Sequence, residues 1–354
     1  MSVHFSAEQM QKSLDAHNRW WKGELGRPLV HVMVQDAYAV EQKACAPMLS
    51  QRTCTDFSWS AEQVIDAIDE HLSRVEYLGD AFPLVNFDAF GPGVLAAFCG
   101  AKLDNSSGAV WFWPQEEKEI ADIHVQYDPE NIYVQRIKAL YRAGLAKWNG
   151  TVIMGLPDFG GVMDVAATFR GTDNLLMDLY DEPEEVKRLI REIQTAWYAA
   201  YADLSGVLRP QNAYSNWSGL VSSDPSYIIQ CDFCYMIGNP MFREFVLDTL
   251  REDTERLTHT IYHLDGIGEL NHLDDILSLD RLNAVQWVPG AGQPSPMHWM
   301  DVFRRIDESG KPAMICGGPE DFMTIVEKFH STPYTKLTFS NRDEPIIRRV
   351  LDAR

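Results

Sequence analysis

Near the end of one apolar run, Tyr262-His263-Leu264-Asp265-Gly266 sets an imidazole and a carboxylate two residues apart. On an extended strand that spacing puts both side chains on one face. Such a pair suits acid–base work or shared metal ligation. It also suits a plain structural role, with Asp265 capping the helix that follows and His263 making a buried hydrogen bond. Spacing alone leaves the two readings even. Asp232 stands in the apolar, aromatic stretch Ile229-Gln230-Cys231-Asp232-Phe233-Cys234, where an unpaired carboxylate is disfavoured as a charge. That makes it a candidate proton donor. Cys231 and Cys234 form a lone C-x-x-C without a second pair, so two free thiols in a packed loop outweigh a redox or zinc site. Cys316, ahead of Gly317-Gly318-Pro319, can join His263 on zinc as a soft thiolate. A small core residue before a tight turn is its commoner role.

These residues need a scaffold, and the hydrophobic pattern describes one. Eight short apolar runs can be read as strands: Leu29–Gln35, Phe82–Phe87, Thr151–Leu156, Ala213–Trp217, Thr260–Asp265, Ala284–Pro289, Ala313–Cys316 and Lys336–Ser340. Their continuous apolar character suits parallel strands covered on both sides. Helical periodicity fills the intervals, over Ser60–Val75, from Glu182 to near Tyr201, over Pro240–Leu257 and over Trp299–Ser309. The alternation predicts an α/β TIM (β/α)8 barrel, with N-terminal helices and an insertion after the second strand between Phe90 and Asp128. Within that insertion Val110-Trp111-Phe112-Trp113-Pro114 reads as part of a small hairpin. No Ser/Gly- or Pro-rich linker interrupts the chain, so residues 1–354 are expected to form one domain.

In such a barrel the chemistry belongs at the C-terminal ends of the strands. The residues there are polar: Gln35-Asp36, Asn86 and Asp88, Pro157-Asp158, Asn216-Trp217, His263 and Asp265, Gln286-Trp287, Cys316 and Ser340-Asn341. Asn86, Trp217, Gln286 and Trp287 are expected to shape a substrate pocket, the indoles offering flat apolar faces. Trp20, Trp21, Trp148 and Trp197 fall on helices and read as core. The sequence has no G-x-S-x-G elbow, and Gly91-Pro92-Gly93 lacks the spacing and lysine of a phosphate loop.

Charge narrows the partners. With 31 Lys+Arg against 51 Asp+Glu the net charge is −20, which argues against nucleic acid and anionic membrane surfaces. No run of 18 apolar residues is present, the first six residues do not form a basic-then-apolar leader, and the six cysteines are scattered. The expected location is cytoplasmic, with reduced thiols.

Several segments in order resemble the uroporphyrinogen decarboxylase superfamily. Arg170-Gly171 through Leu175-Leu176 and Asp178-Leu179-Tyr180, followed by Glu182-Pro183-Glu184 and Val186, is similar to its "RG.e.ll.dly.dPe.v" segment. Asn239-Pro240-Met241-Phe242-Arg243-Glu244-Phe245 resembles "SPemFeeF", and His263-Leu264-Asp265-Gly266 lies where relatives carry "H.DG" or "H.CG". Gln286-Trp287-Val288-Pro289-Gly290 resembles a branch associated with trimethylamine corrinoid proteins. The resemblance implies the same barrel with its site at the strand C-termini.

Two chemistries occur in that superfamily. The decarboxylases carry an N-terminal arginine motif that binds propionates, whereas Arg27-Pro28-Leu29-Val30-His31-Val32-Met33-Val34-Gln35-Asp36 lacks the internal arginine. A polycarboxylate would meet an acidic protein without a guanidinium clamp. The other branch moves a methyl group between a small donor and a corrinoid carried on a separate protein. Its thiol-using members bind zinc through H-x-C and a later cysteine. Here the motif reads His263-Leu264-Asp265, and only Cys316 offers a later thiolate. The expectation is a corrinoid-dependent methyltransferase with His263, Asp265 and Asp232 as catalytic groups and His263 and Cys316 as the zinc ligands, if zinc is bound. A decarboxylase-like lyase and a non-catalytic ligand- or corrinoid-binding barrel are the alternatives. The resemblance also extends to homodimers, which are frequent among relatives.

Overall fold

The computed structural model describes residues 3–329 and 332–354. Met1 and Ser2, the first two residues of the stretch read for a leader, lie outside the described residues. In chain order the strands are β1 (Leu29–Val34), β2 (Glu76–Gly79), β3 (Leu84–Val85), β4 (Lys102–Asp104), β5 (Trp111–Trp113), β6 (Ile153–Met154), β7 (Tyr214–Ser215), β8 (Val221–Ser222), β9 (Ser226–Gln230), β10 (His259–Asp265), β11 (Ala284–Val288), β12 (Ala313–Ile315) and β13 (Tyr334–Phe339). The central sheet runs β2-β1-β13-β12-β11-β10-β9, parallel throughout except for β2, which pairs antiparallel with β1. This mostly parallel sheet with its helices is compatible with a TIM-like α/β fold.

The ladder is not the uninterrupted eight-fold ring that the strand count suggests. Among the described residues β3 and β6 form a separate parallel pair, linked onward by a bridge from Leu156 to Asn216. The apolar runs at 82–87, 151–156 and 213–217 therefore contribute only two-residue ladders. A second correction concerns β9. It is absent from the eight expected strands, yet Ser226–Gln230 is a fully buried strand paired with β10. Burial on both faces makes it a strand, although it is too short to show a period. Among the described residues one helix precedes β1 rather than several: α1 (Ala7–Trp21), whose start is secured by a reciprocal Ser6–Gln9 capping box.

Other expectations shift in detail. α2 (Ala61–Leu72) starts at a Ser60–Gln63 capping box. The helix opened by Pro183 runs to Leu208, beyond Tyr201. The span 240–257 divides into Asn239–Phe245 and Leu247–Arg256 about Val246, and nothing in the sequence marks that break. The insertion does contain a hairpin, β4 against β5, with Trp111 and Trp113 exposed at its rim.

The sheet's two faces differ. One face packs Val30, Val32, Ile229, Leu264, Val285 and Ile315 into the large core shared with the helices. On the other, Leu29, Ile228, Ile261, Ala284, Met314 and Tyr334 make an apolar floor closed by Ala16 and Trp20 of α1. Trp20 also donates its indole N–H to the Thr332 carbonyl at 2.7 Å. Strand side chains alternate, so the next residues on the floor's face are His31, Gln230, His263, Gln286, Cys316 and Lys336. An apolar floor thus gives way, one step along each strand, to a polar layer. Among the described residues no helix is long and apolar enough to cross a membrane.

Candidate active site

That polar layer is where the predicted residues converge. His263 and Asp265 lie on one face of β10, with His263 Nε2 3.7 Å from Asp265 Oδ2. β11 runs parallel to β10 in a register that sets Gln286 beside His263. Gln286 Oε1 meets His263 Nδ1, and Gln286 Nε2 donates to Met314 Sδ at 3.2 Å. The carbonyl oxygen can only accept, so Nδ1 carries the proton and Nε2 is left to face the carboxylates. Asp265 does not cap the following turn, which begins at Gly266 without a side-chain cap.

Asp232 enters from the turn after β9. Its ligand atom, that of His263 and that of Asp265 lie within 4.8 Å of one another. Asp164, on the helix Val162–Arg170, positions it. The Asp164 carboxylate accepts the backbone N–H of Asp232 at 3.1 Å, of Phe233 at 2.6 Å and of Gly161 at 3.1 Å. One half-buried side chain thus ties the start of that helix to the Asp232 turn.

The electrostatics follow from crowding acids around one imidazole. Burial works to lower the His263 pKa, but the contact to Asp265, the charge of Asp232 and the Gln286 carbonyl outweigh it, and the pKa is raised. Asp232 is raised by burial, with repulsion from Asp265 and Asp158 opposing the pull of His263. Asp158, almost fully buried, is pushed up to about 6 by desolvation. Asp88 is pushed up to about 7, by burial and then by the charge of Asp158. Acids titrating near neutrality beside an imidazole held in its charged form are a proton-handling arrangement.

The remaining predicted residues divide. Trp217 presents its ring edge-on to His263, with centroids 4.9 Å apart at 86°. Asn86 sits beside Gly155, where a Cβ would lie 2.3 Å from Asn86 Oδ1, so the close approach needs glycine. Trp287 does not join them. It is wholly buried on the opposite face of β11 and packs against Trp299. Cys316 is in the polar layer but outside the group of Asp232, His263 and Asp265. Burial raises its thiol to about 11, with hydrogen bonding from Gln286 opposing, so it rests as a thiol. All six cysteines are unpaired, and Cys231 and Cys234 are buried, the first at the start of the Asp232 turn and the second within it.

Sequence reasoning passed over Asp88, Asp158 and Asp164 as site residues. Asp88 and Asp158 do stand among the polar strand ends, which was their signal. Asp164 had none, because its role depends on a turn far along the chain.

No family model matches the chain, and no curated protein does. Among solved structures it is similar to a methyltransferase from Methanosarcina mazei, with a TM-score of 0.60 at 11% identity over 97% of each chain. At that identity the likeness is one of fold.

Proposed function

We propose that this protein is a methyltransferase of the corrinoid-dependent type, taking a methyl group from a small donor and passing it to a corrinoid on a partner protein. The observation that carries the reading is the arrangement of His263 between Asp265, Asp232 and Gln286 on a scaffold similar to a methyltransferase along its whole length. Docked on its partner, the corrinoid supplies the nucleophile that accepts the methyl carbon. When the bond from methyl to donor heteroatom breaks, its electron pair stays on the heteroatom. His263 Nε2 delivers the proton that neutralises it, and the Gln286 contact keeps that nitrogen aimed outward. Asp265 and Asp232 hold the imidazole charged until transfer. The Trp217 edge shields it from bulk water.

Zinc fits this site through Asp232, His263 and Asp265, a set of one imidazole and two carboxylates whose ligand atoms already converge. A bound ion would occupy His263 Nε2 in place of its proton and would itself supply positive charge at the donor's leaving atom. The decarboxylase-like reading gains no support, because Asp88, Asp158, Asp232 and Asp265 crowd the mouth where a polycarboxylate would have to sit.

The test is methyl transfer to free cob(I)alamin, followed by its visible spectrum. Turnover with a methylated donor that disappears in His263→Ala supports the reading. Carbon dioxide release, or ligand binding without turnover in either protein, would reject it.

A further inference from the structure

Beside the polar layer, where the central sheet ends at β2 and β3 pairs with β6 instead, a cavity of about 250 Å³ opens. Its walls are largely apolar, with Met33 from β1, Ile68 and Leu72 from α2, and Phe82 and Leu84 leading into β3. Three residues reach it from the site and its polar layer, His31, Asn86 and Lys336, and Gln35 lines it as well. The lining holds this amine, two histidines and no carboxylate, in a chain whose net charge is −20. Both histidines are neutral in character: burial lowers the pKa of His31 well below its usual value, and that of His71 as well.

Lys336 is exposed to this space, and among the described residues it makes no ion pair or hydrogen bond. Asp88 feels its charge from beyond pairing distance. Gly219 keeps the space beside the amine clear, since a Cβ there would lie 3.4 Å from Lys336 Nζ and 2.8 Å from the Tyr334 hydroxyl. An unpaired ammonium at one end of an apolar cavity is matched by a molecule with one anionic group and an apolar body. The volume is below that of drug-sized pockets, so the molecule is small.

We infer that this cavity binds a small apolar monocarboxylate, of the size of a substituted benzoate, with its carboxylate on Lys336 and its body against Met33, Leu72 and Leu84. The assignment is one of binding and stands apart from the methyl-transfer reading, because His263, Asp232 and Asp265 do not line this cavity.

Calorimetric titration of the full chain with para-methoxybenzoate and its neutral counterpart para-methoxybenzamide tests it. The acid is expected to bind more tightly than the amide. Lys336→Met should weaken the acid about tenfold or more while leaving the amide unchanged. Leu84→Phe, which fills the apolar end, should weaken both. Equal binding of acid and amide, or acid binding unchanged in Lys336→Met, overturns the proposal; so does displacement of the acid by inorganic phosphate at the same concentration.

Discussion

Gln286 Oε1 accepts the proton on His263 Nδ1, and its amide nitrogen is held by Met314 Sδ. The glutamine therefore chooses the imidazole's tautomer from the neighbouring strand. Gln286→Met would leave Nδ1 without its acceptor. Methyl transfer is expected to fall roughly 10- to 100-fold, the usual cost of losing an outer hydrogen bond to a functional histidine. An unchanged rate in Gln286→Met would remove the tautomer argument.

The charge on His263 gives the reaction a pH limb. Its pKa lies above the ordinary 6.5 because Asp265 and Asp232 outweigh burial. The acid form thus persists above that value, and activity should decline as pH rises through the shifted pKa. Asp265→Asn removes one stabilising charge, so the limb should move to lower pH. A pH–rate profile that stays in place in Asp265→Asn would contradict the assignment of the acid.

Metal content separates the two proposed ligand sets. If a divalent ion is taken up, His263→Ala should lose it and Cys316→Ser should keep it, because Cys316 stands outside the converging group. Elemental analysis of the purified variants reads this directly. Loss from Cys316→Ser would restore the thiolate as a ligand.

Asp164 is expected to matter for stability as well as for Asp232. Replacing it with Ala leaves three backbone N–H groups without their acceptor. A cost of about 2–5 kcal/mol is expected in urea unfolding at neutral pH. A loss below 1 kcal/mol would show that water replaces the carboxylate.

Behind the site, a buried chain runs from the Ser13 carbonyl through His17 and His31 to the Tyr334 hydroxyl. His17 must donate from Nδ1 to that carbonyl, so His31 donates to His17 and accepts from Tyr334, with both rings neutral. Burial lowers the His17 pKa to about 4. As pH falls from 6.5 toward 4 the unfolded chain takes up a proton that the folded chain refuses. Stability is present above 6.5 and is lost on the way down, by about 3 kcal/mol for this residue. Buried acids such as Asp253, raised to about 7 by burial, change stability in the opposite sense as pH rises. The His17 share is therefore isolated by comparing urea unfolding of wild type and His17→Gln between pH 7 and 4.5. A parallel decline in the two proteins would assign the loss elsewhere.

Much of this was legible in the sequence, because alternation along a strand is a local property. His263 and Asp265 had to share a face, and apolar runs ending in polar residues had to place those residues together at one end of the sheet. The same rule separates Gln286 from Trp287: neighbours on a strand point apart, so both could not enter one pocket. The resemblance in its motifs anticipated an α/β scaffold of this kind, and the fold likeness agrees at that level.

Tertiary structure alone decided the rest. Which strands adjoin, and which turns fold back over them, depends on packing between residues far apart in the chain. The β10–β11 register brought Gln286 to His263. Asp164, 68 positions from Asp232, brought that carboxylate into the group. A break in the ladder between β2 and β3 left the Lys336 amine facing an apolar cavity. Periodicity determines which side chains can share a surface, whereas long-range pairing determines which of them meet.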